Sequence, residues 1–251
     1  NGSTSLILPI TVQQEQGIEN AIYFGDKIEV NNKLAIEAGL RVSAFTALGA
    51  SRVYTYAAGT ERSITNIQDT LFYKKGQPIK TYWGPEIRLS ARYTLSETAS
   101  IKAGFSTQRQ YMHMLSNTTA ISPTDIWKLS DAHIKPQYGK QISLGFYKNF
   151  PRRDIETSVE VYYKWLDNFL DYKSGAKLLL NEHIETDVLN SKGTAYGIEF
   201  MVKKNIGKLN GWFSYTYSRT LLQTDDATIS HPVNKGTAYP ANFDKPHSIN
   251  I

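Results

Sequence analysis

The stretch Gly193–Arg219, GTAYGIEFMVKKNIGKLNGWFSYTYSR, predicts how the chain folds. Apolar and polar residues alternate over Tyr196–Val202 and again over Gly211–Arg219, which is the two-residue period of a β-strand. Between the two runs lie Asn205 and Gly207, residue types that adopt positive φ in tight turns. The stretch therefore predicts an antiparallel hairpin with one apolar face.

Such a hairpin fits two classes of protein. In a soluble β-sandwich the apolar face is buried in a core, and the polar face meets water. In a transmembrane barrel the apolar face meets lipid, and the polar face lines a wet lumen. The alternation alone is compatible with both classes, so the rest of the chain has to distinguish them.

The composition fits an amphipathic β-protein of one large domain or two small ones. The 251 residues are 41% hydrophobic and 12% aromatic, and mean hydropathy is -0.39. No apolar run has the length of a membrane-spanning helix, but barrel strands alternate and therefore score as hydrophilic. The absence of cysteine excludes disulfides, thiolate metal sites and a thiol nucleophile. The net charge of +5 is scattered, which favours lumen and loop charge over nucleic-acid binding.

The same alternation recurs in three further pairs of segments. The pairs are Ile18–Ile28 with Leu34–Phe45, Glu86–Leu95 with Ile101–Tyr111, and Gln141–Tyr147 with Ile155–Trp165. Their polar faces carry too many ionisable residues for a closed soluble core, which is typical of a water-filled lumen. Together with the hairpin they make about eight strands, and Ser248–Ile251 begins a ninth.

The connections between these segments alternate between short and long. The short links are at 30–33, 96–99, 150–153 and 205–207, and the long ones are at about 48–82, 112–136, 170–192 and 222–246. In an up-and-down sheet, alternate connections lie at the same end. The chain is therefore predicted to be all-β, an antiparallel transmembrane β-barrel with short periplasmic turns and long extracellular loops, present here as a partial wall.

Five motifs, in this order, resemble the TonB-dependent outer-membrane transporters, in particular the nutrient receptors whose plug follows a carboxypeptidase-regulatory-like domain. They are LAIEAGLR at 34–41, WKLSD with IKPQY at 127–138, GTAYGIE at 193–199, GWFSYTYSR at 211–219 and YPANFDKPH at 239–247. Such transporters close about 22 strands around a globular plug. The resemblance implies that residues 1–251 are a middle to C-terminal portion of one barrel domain, without the plug domain and the terminal strands.

The resemblance also implies a function. Such a protein imports a scarce nutrient, a siderophore, an oligosaccharide or a peptide, without modifying it, and is not an enzyme. The implied location is the outer membrane of a Gram-negative bacterium. The implied partners are outer-membrane lipid, the plug domain of the same protein, the TonB energy-transducing complex through the N-terminal part, and a surface lipoprotein, but no nucleic acid. Two alternatives stay open, a passive porin-like barrel and an outer-membrane or soluble β-domain that binds carbohydrate.

The sequence predicts no catalytic, metal or cofactor site. Its five histidines are widely spaced, and none has another histidine two or four residues further on. No Walker loop, no G-x-S-x-G and no G-x-G-x-x-G occurs. The pair Asp225-Asp226 lacks the repeated acidic ladder of a calcium loop.

The functional candidates are instead charged residues on the wall and aromatic residues on the loops. The candidates to face the lumen are Glu37, Arg41, Arg88, Arg92, Lys102, Glu156, Glu160, Lys164 and Glu199. Their alternative role is to keep the lumen face of the wall hydrated and to anchor the plug. The loop candidates to bind ligand are Tyr54, Tyr56, Tyr73, Tyr82, Trp83, Tyr111, His113 and Trp127. Aromatic rings stack on sugars or pack against peptides and chelates, although each ring alone also fits simple packing.

Overall fold

The computed structural model describes residues 14–115, 126–178, 181–226, 228–229 and 231–251. Apart from short 3-10 turns and one helical turn, α1 (Ile184–Asp187), the regular structure is β. The strands in chain order are β1 (Gln16–Glu29), β2 (Leu34–Leu48), β3 (Ser51–Tyr56), β4 (Ile67–Tyr73), β5 (Pro78–Ser96), β6 (Ala99–Gln110), β7 (Met112–Leu115), β8 (Ile126–Leu129), β9 (Gln137–Phe150), β10 (Ile155–Tyr172), β11 (Val188–Lys204), β12 (Gly211–Thr224), β13 (Tyr239–Pro240) and β14 (His247–Asn250).

Eight long strands form one antiparallel sheet, which we call the wall. Its order is β1-β2-β5-β6-β9-β10-β11-β12, and the short strands β13 and β14 both pair with β12. The strands follow each other in chain order, so the wall is an up-and-down sheet. The predicted all-β fold and the predicted partial wall of about eight strands are therefore confirmed. No helix in the described part of the chain is both long enough and apolar enough to cross a membrane.

The wall strands extend further toward the long loops than the sequence predicts. Strand β5 begins at Pro78 rather than near Glu86, and Pro85 lies inside it. A proline is tolerated there because this part of β5 has only one neighbour. The strand pairs with β2 from Pro78 onward, but its pairing with β6 begins only at Arg88 opposite Ser106.

The two faces of the wall differ as the alternation predicts. Residues that lie directly opposite each other in an antiparallel register share a face. One face carries large apolar side chains that are exposed, including Ile22 at 81% and Phe24 at 77%. The other face, which we call the polar face, carries charged residues along the middle of the strands, such as Arg41, Arg92 and Glu160.

The buried apolar residues lie mainly at the long-loop end, not in the middle of the wall. One cluster packs Leu115, Ile134, Leu170, Leu178, Ile184 and Val188 together. A second cluster packs Phe45, Ala47 and Tyr111 against Ile79, Tyr82 and Leu129. The strand pairs β3–β4 and β7–β8 contribute to this region, as do residues 130–136, 173–178 and 181–187. We call it the loop layer. The predicted long loops thus contain structure and a core of their own.

Candidate functional site

All nine charged residues predicted to face a lumen lie on the polar face. The register carries this face across the wall, from Arg92 opposite Lys102, through Gly145 opposite both Lys102 and Glu160, to Glu199. Arg41 lies opposite Glu86, and Arg88 lies opposite Gly39 on the same face. The same alternation along each strand places Glu37, Glu156 and Lys164 there too.

The two signs of charge are separated along the wall. Arg88, Arg92 and Lys102 lie on β5 and β6, whereas Glu156, Glu160 and Glu199 lie on β10 and β11. Glu160 and Glu199 are direct cross-strand partners, and like charges in that position repel each other. The polar face therefore has a mainly basic region on β5 and β6 and a mainly acidic region on β10 and β11, with Glu86 and Lys164 as residues of the opposite sign.

Arg41 belongs to a network of hydrogen bonds at the long-loop end of the polar face. Its guanidinium lies 2.8 Å from a Glu19 carboxylate oxygen and 3.3 Å from one of Glu86. Ser43 donates to Glu86 at 2.5 Å, and its hydroxyl also lies 2.8 Å from the hydroxyl of Tyr111. Ser43 and Glu86 are both buried. The network joins the wall to the start of the loop layer and satisfies a buried carboxylate.

A second ionic cluster is formed by Glu15, Lys128 and Asp131. The Lys128 ammonium pairs with Glu15 and lies 2.8 Å from Asp131. The other Asp131 oxygen accepts the backbone N–H groups of His133 and Ile134, at 2.8 and 2.9 Å. Burial opposes both charges, but the mutual attraction outweighs it. The pKa of Lys128 is consequently raised and the pKa of Asp131 is lowered.

His113 lies beside this cluster and is 3% exposed. Its Nε2 is 3.0 Å from the hydroxyl of Ser130, which is fully buried. Burial lowers the pKa of His113 from 6.5 to about 4, while Asp131 raises it and Lys128 lowers it further. The imidazole is therefore neutral at pH 7 and serves as a hydrogen-bonding group of the loop layer.

Two tyrosines of β3 contact histidines that lie far away in the sequence. The ring of Tyr54 packs on His183 with 4.6 Å between centroids, and its carbonyl oxygen is 2.8 Å from His133 Nε2. The Tyr56 hydroxyl donates to Glu185 at 2.7 Å, and its ring meets the edge of His133. Burial and the Glu185 carboxylate raise the pKa of Tyr56.

These groups surround a cavity of about 390 Å³ in the loop layer. Its apolar lining includes Ala47, Leu115 and Ile184. Its polar and aromatic lining includes Glu15, Tyr54, Trp127, Lys128, Asp131, His133, Asn181, Glu182 and Glu185. Apolar lining with a few converging polar groups is characteristic of a ligand-binding cavity. The groups present can stack on a ring and form hydrogen bonds through carboxylate, amide and ammonium groups.

The eight loop candidates occupy different positions relative to this cavity. Tyr54 and Trp127 line it, and Trp127 is 58% exposed. Tyr56, Tyr82, Tyr111 and His113 pack in the layer around it, where the Tyr82 hydroxyl donates to the Asp131 carbonyl at 2.7 Å. Tyr73 lies at the end of β4, opposite Ser51. Trp83 lies apart from the others, 71% exposed on the apolar face of the wall.

Several cavity residues are absent from the sequence-based candidates, namely Glu15, Asp131, Glu182 and Glu185. They are separated by up to 170 residues, so no local spacing identifies them together. Asp131 has a local signal, because an Asp whose side chain caps the next backbone N–H groups is typical of a turn. Among the described residues, no group of three His, Asp or Glu side chains is placed to hold a metal ion.

Comparison with known proteins identifies the family. Residues 2–250 match the family described as TonB dependent receptor-like, beta-barrel. The chain belongs to this family. The resemblance drawn from the motifs is thus confirmed, and the family is one of outer-membrane receptors in Gram-negative bacteria. A search of curated protein sequences finds no match.

Solved structures of similar fold include two metal transporters and an import receptor. The ferric-catecholate import receptor Fiu from E. coli K12 gives a TM-score of 0.55 at 16% identity, over 94% of this chain and 31% of that one. The FrpB iron transporter from Neisseria meningitidis (F3-3 variant) gives 0.54 at 10% identity, over 84% and 27%. The copper transporter OprC gives 0.51 at 12% identity, over 84% and 33%. The chain thus spans no more than about a third of these proteins, and the likeness concerns the fold alone.

Proposed function

We propose that residues 1–251 are a portion of the barrel wall of a TonB-dependent receptor that imports a scarce nutrient. The plug domain and the remaining strands belong to other parts of the protein. The observation that carries the proposal is the family match over residues 2–250, together with a wall that has one apolar and one charged face. The match favours this reading over a passive porin and over a carbohydrate-binding domain.

In this proposal the apolar face of the wall meets outer-membrane lipid and the polar face lines the lumen. The exposed apolar side chains support the lipid contact, because exposing so much apolar surface to water would be unfavourable. The nine charged residues of the polar face then meet water and the plug domain. The long-loop end faces outward, as in other barrels of this kind.

We propose that the cargo first binds in the cavity of the loop layer. Tyr54 and Trp127 contact it, while Tyr56, Tyr82, Tyr111 and His113 hold the surrounding layer in place. The cargo is a siderophore, an oligosaccharide or a peptide, and it passes unmodified. TonB acts through the N-terminal part of the protein, and a surface lipoprotein is a further partner.

The test is a growth comparison in the native bacterium. A strain lacking the receptor gene and a strain lacking TonB are grown on ferric chelates, oligosaccharides or peptides as the limiting nutrient. We expect both strains to fail on the same nutrient class, and a plasmid copy of the receptor to restore growth only in the first. Normal growth of the receptor-deficient strain on every class, or restored uptake without TonB, would contradict the proposal.

A matched pair of variants then locates the binding site. Trp127→Ala and Tyr54→Ala, in the cavity, should each weaken binding of the identified nutrient by about two- to tenfold, because a stacked ring contributes roughly 0.5–1.5 kcal/mol. Trp83→Ala, on the apolar face, is the control and should leave binding unchanged. Equal losses in all three variants would contradict the assignment of the site.

A further inference from the structure

A second cavity, of about 400 Å³, opens on the polar face between β5 and β6. It exists because the pairing of these strands ends at Arg88 opposite Ser106, although both strands continue. Beyond that point the backbone N–H of Ile87 donates to the Thr107 hydroxyl at 2.8 Å instead of to a backbone carbonyl. Three arginines line the gap: Arg41, Arg88 and Arg109.

Arg109 is held firmly at this gap. Its guanidinium carbon lies 4.5 Å from the centre of the Tyr138 ring, a cation–π contact. A side chain at Gly84 would overlap the same guanidinium, with only 2.4 Å from an added Cβ to the nearest nitrogen. Glycine at 84 therefore makes the space that the Arg109 head occupies. Its Nε is buried and has no hydrogen-bond partner among the described residues.

The charges at the gap do not balance. Arg41 is already paired with Glu19 and Glu86, and Glu86 is the one carboxylate that lines the cavity. Within the described part of the chain, neither Arg88 nor Arg109 has a carboxylate within ion-pair distance. Two guanidinium groups are thus available, and a guanidinium binds carboxylate or phosphate through a planar fork of donors.

We propose that this gap is an oxyanion-binding subsite of the lumen, which receives a carboxylate or phosphate group of the cargo. The proposal rests on the proposed transport function and narrows its substrate class to a nutrient that carries such a group. Arg88 and Arg109 bind the anion, and Gln108 and Gln110, on the same lining, offer amide donors beside it.

A diffusible anion fits the gap better than a carboxylate side chain from the plug domain. The volume of about 400 Å³ exceeds what one side-chain carboxylate fills, and it lies within the usual range of small-ligand cavities. The gap also lies toward the long-loop end. It begins where the pairing of β5 with β6 ends, and its lining includes Arg41, which belongs to the hydrogen-bond network that ends at Tyr111. A nutrient entering from the loop layer would reach it early.

The experiment measures citrate binding to the intact receptor, purified from outer membranes in detergent. Calorimetric titration at constant ionic strength is performed on the wild type, Arg88→Gln and Arg109→Gln. The matched control is Arg92→Gln, because Arg92 lies on the same strand and face as Arg88 but outside the gap. We expect saturable binding that falls about tenfold in each of the first two variants and is unchanged in the third.

Two results would overturn the proposal. One is that the wild type does not bind citrate saturably, or binds sorbitol, a neutral polyol of similar size, equally well; a plug carboxylate that fills the gap would have this effect. The other is that Arg92→Gln loses as much affinity as Arg88→Gln. If Arg109→Gln does not fold, as judged by the absence of a heat-dependent shift of its band on a gel, Arg109→Lys replaces it. Lysine keeps the positive charge but lacks the planar fork of N–H donors.

Failure of this proposal is distinguishable from failure of the proposed function. TonB-dependent growth on a limiting nutrient together with absent citrate binding would refute the subsite alone. Citrate binding that depends on Arg88 and Arg109 in a receptor whose loss affects no nutrient would refute the transport function alone.

Discussion

In the wall, Ile22 and Phe24 keep about four-fifths of their surface exposed, whereas in the loop layer Leu115 and Ile134 keep 1% each. Both regions come from one chain of moderate hydropathy, and both are built from β-strands. The exposed apolar face of the wall is what the proposed contact with lipid requires, whereas the loop layer packs a core of its own.

The two regions also differ in how their charged side chains are paired. In the loop layer the Lys128 ammonium lies between Glu15 and Asp131, and the Asp131 carboxylate accepts two backbone N–H groups as well. In the wall, Glu160 and Glu199 face each other directly with like charge. The wall therefore brings two like charges side by side, whereas this loop-layer cluster pairs opposite charges.

The largest effect is expected from a cavity in the loop-layer core. Leu115→Ala removes a side chain that packs in the main cluster, so the free energy of unfolding of that layer should fall by about 2–5 kcal/mol. Hydrogen exchange of β7 and of residues 184–188 measures it. Leu71→Ala, on the half-exposed β4, is the control and should cost less than about 1 kcal/mol. Equal loss of protection in the wall strands would contradict the separation of the two regions.

The second largest effect is expected from a charge placed on the apolar face. Leu144→Arg places it near the middle of β9, where it should destabilise a lipid-embedded barrel by about 2–4 kcal/mol. Gln141→Arg, on the polar face of the same strand, is the matched control and should be tolerated. Unfolding of the purified receptor in lipid vesicles by guanidinium measures both. Similar costs for the two variants would mean that the faces are not distinguished by lipid.

The stability of the loop layer should depend on pH through His113. Its pKa is about 4 in the folded layer and 6.5 when unfolded, so the unfolded state binds the proton first. Stability is therefore full above pH 6.5 and falls as the pH drops toward 4, by at most about 3 kcal/mol. Asp131 and Lys128 face the ring, and Asp131, whose pKa is lowered, loses its contribution only below this range.

Hydrogen exchange of β7 and β8 between pH 7 and 4.5 measures this dependence, after correction for the intrinsic exchange rate. His113→Phe should flatten the pH profile, whereas His231→Gln, at an exposed position, should not change it. A flat wild-type profile would mean that the ring is not held neutral by burial.

The smallest effect is expected from the facing carboxylates. Glu160→Gln removes the repulsion with Glu199 and should stabilise the receptor by less than about 1 kcal/mol. Glu156→Gln serves for comparison, because the Asn205 amide donates to Glu156 at 2.8 Å and one donor bond is weakened instead. Guanidinium unfolding measures both. A marked loss of stability in Glu160→Gln would contradict this expectation and would mean that the hydrogen bond between the Tyr147 hydroxyl and Glu160 outweighs the repulsion.

The wall could be predicted from sequence because its strands alternate over many residues and the tight turns separate them. Prediction failed at Trp83, Gly84 and Pro85, which interrupt the pattern although β5 continues through them. A proline is compatible with that position only because β5 is no longer paired with β6 there, although β6 stays paired with β9. That is a property of the pairing, not of the segment.

The loop layer could be predicted only in part. The alternation in Ser51–Tyr56 is a local signal for β3, yet its partner β4 lies across a long link, and such pairings depend on the surrounding core. The ring contact of Tyr54 with His183 joins residues that are far apart in the chain, and so does the ion pair of Glu15 with Lys128. Aromatic residues could be selected from the sequence, but the carboxylates beside them could not.

The most direct test of the account is the topology of the chain in intact cells. Because the chain has no cysteine, Glu182→Cys in the loop layer and Lys208→Cys in a short turn each introduce one thiol into it. A large maleimide that cannot cross the outer membrane is added before and after permeabilisation. We expect the Glu182→Cys variant to react in intact cells and the Lys208→Cys variant to react only after permeabilisation. Reaction of both positions in intact cells, or the reverse order, would contradict a wall that spans the outer membrane with its long loops outside.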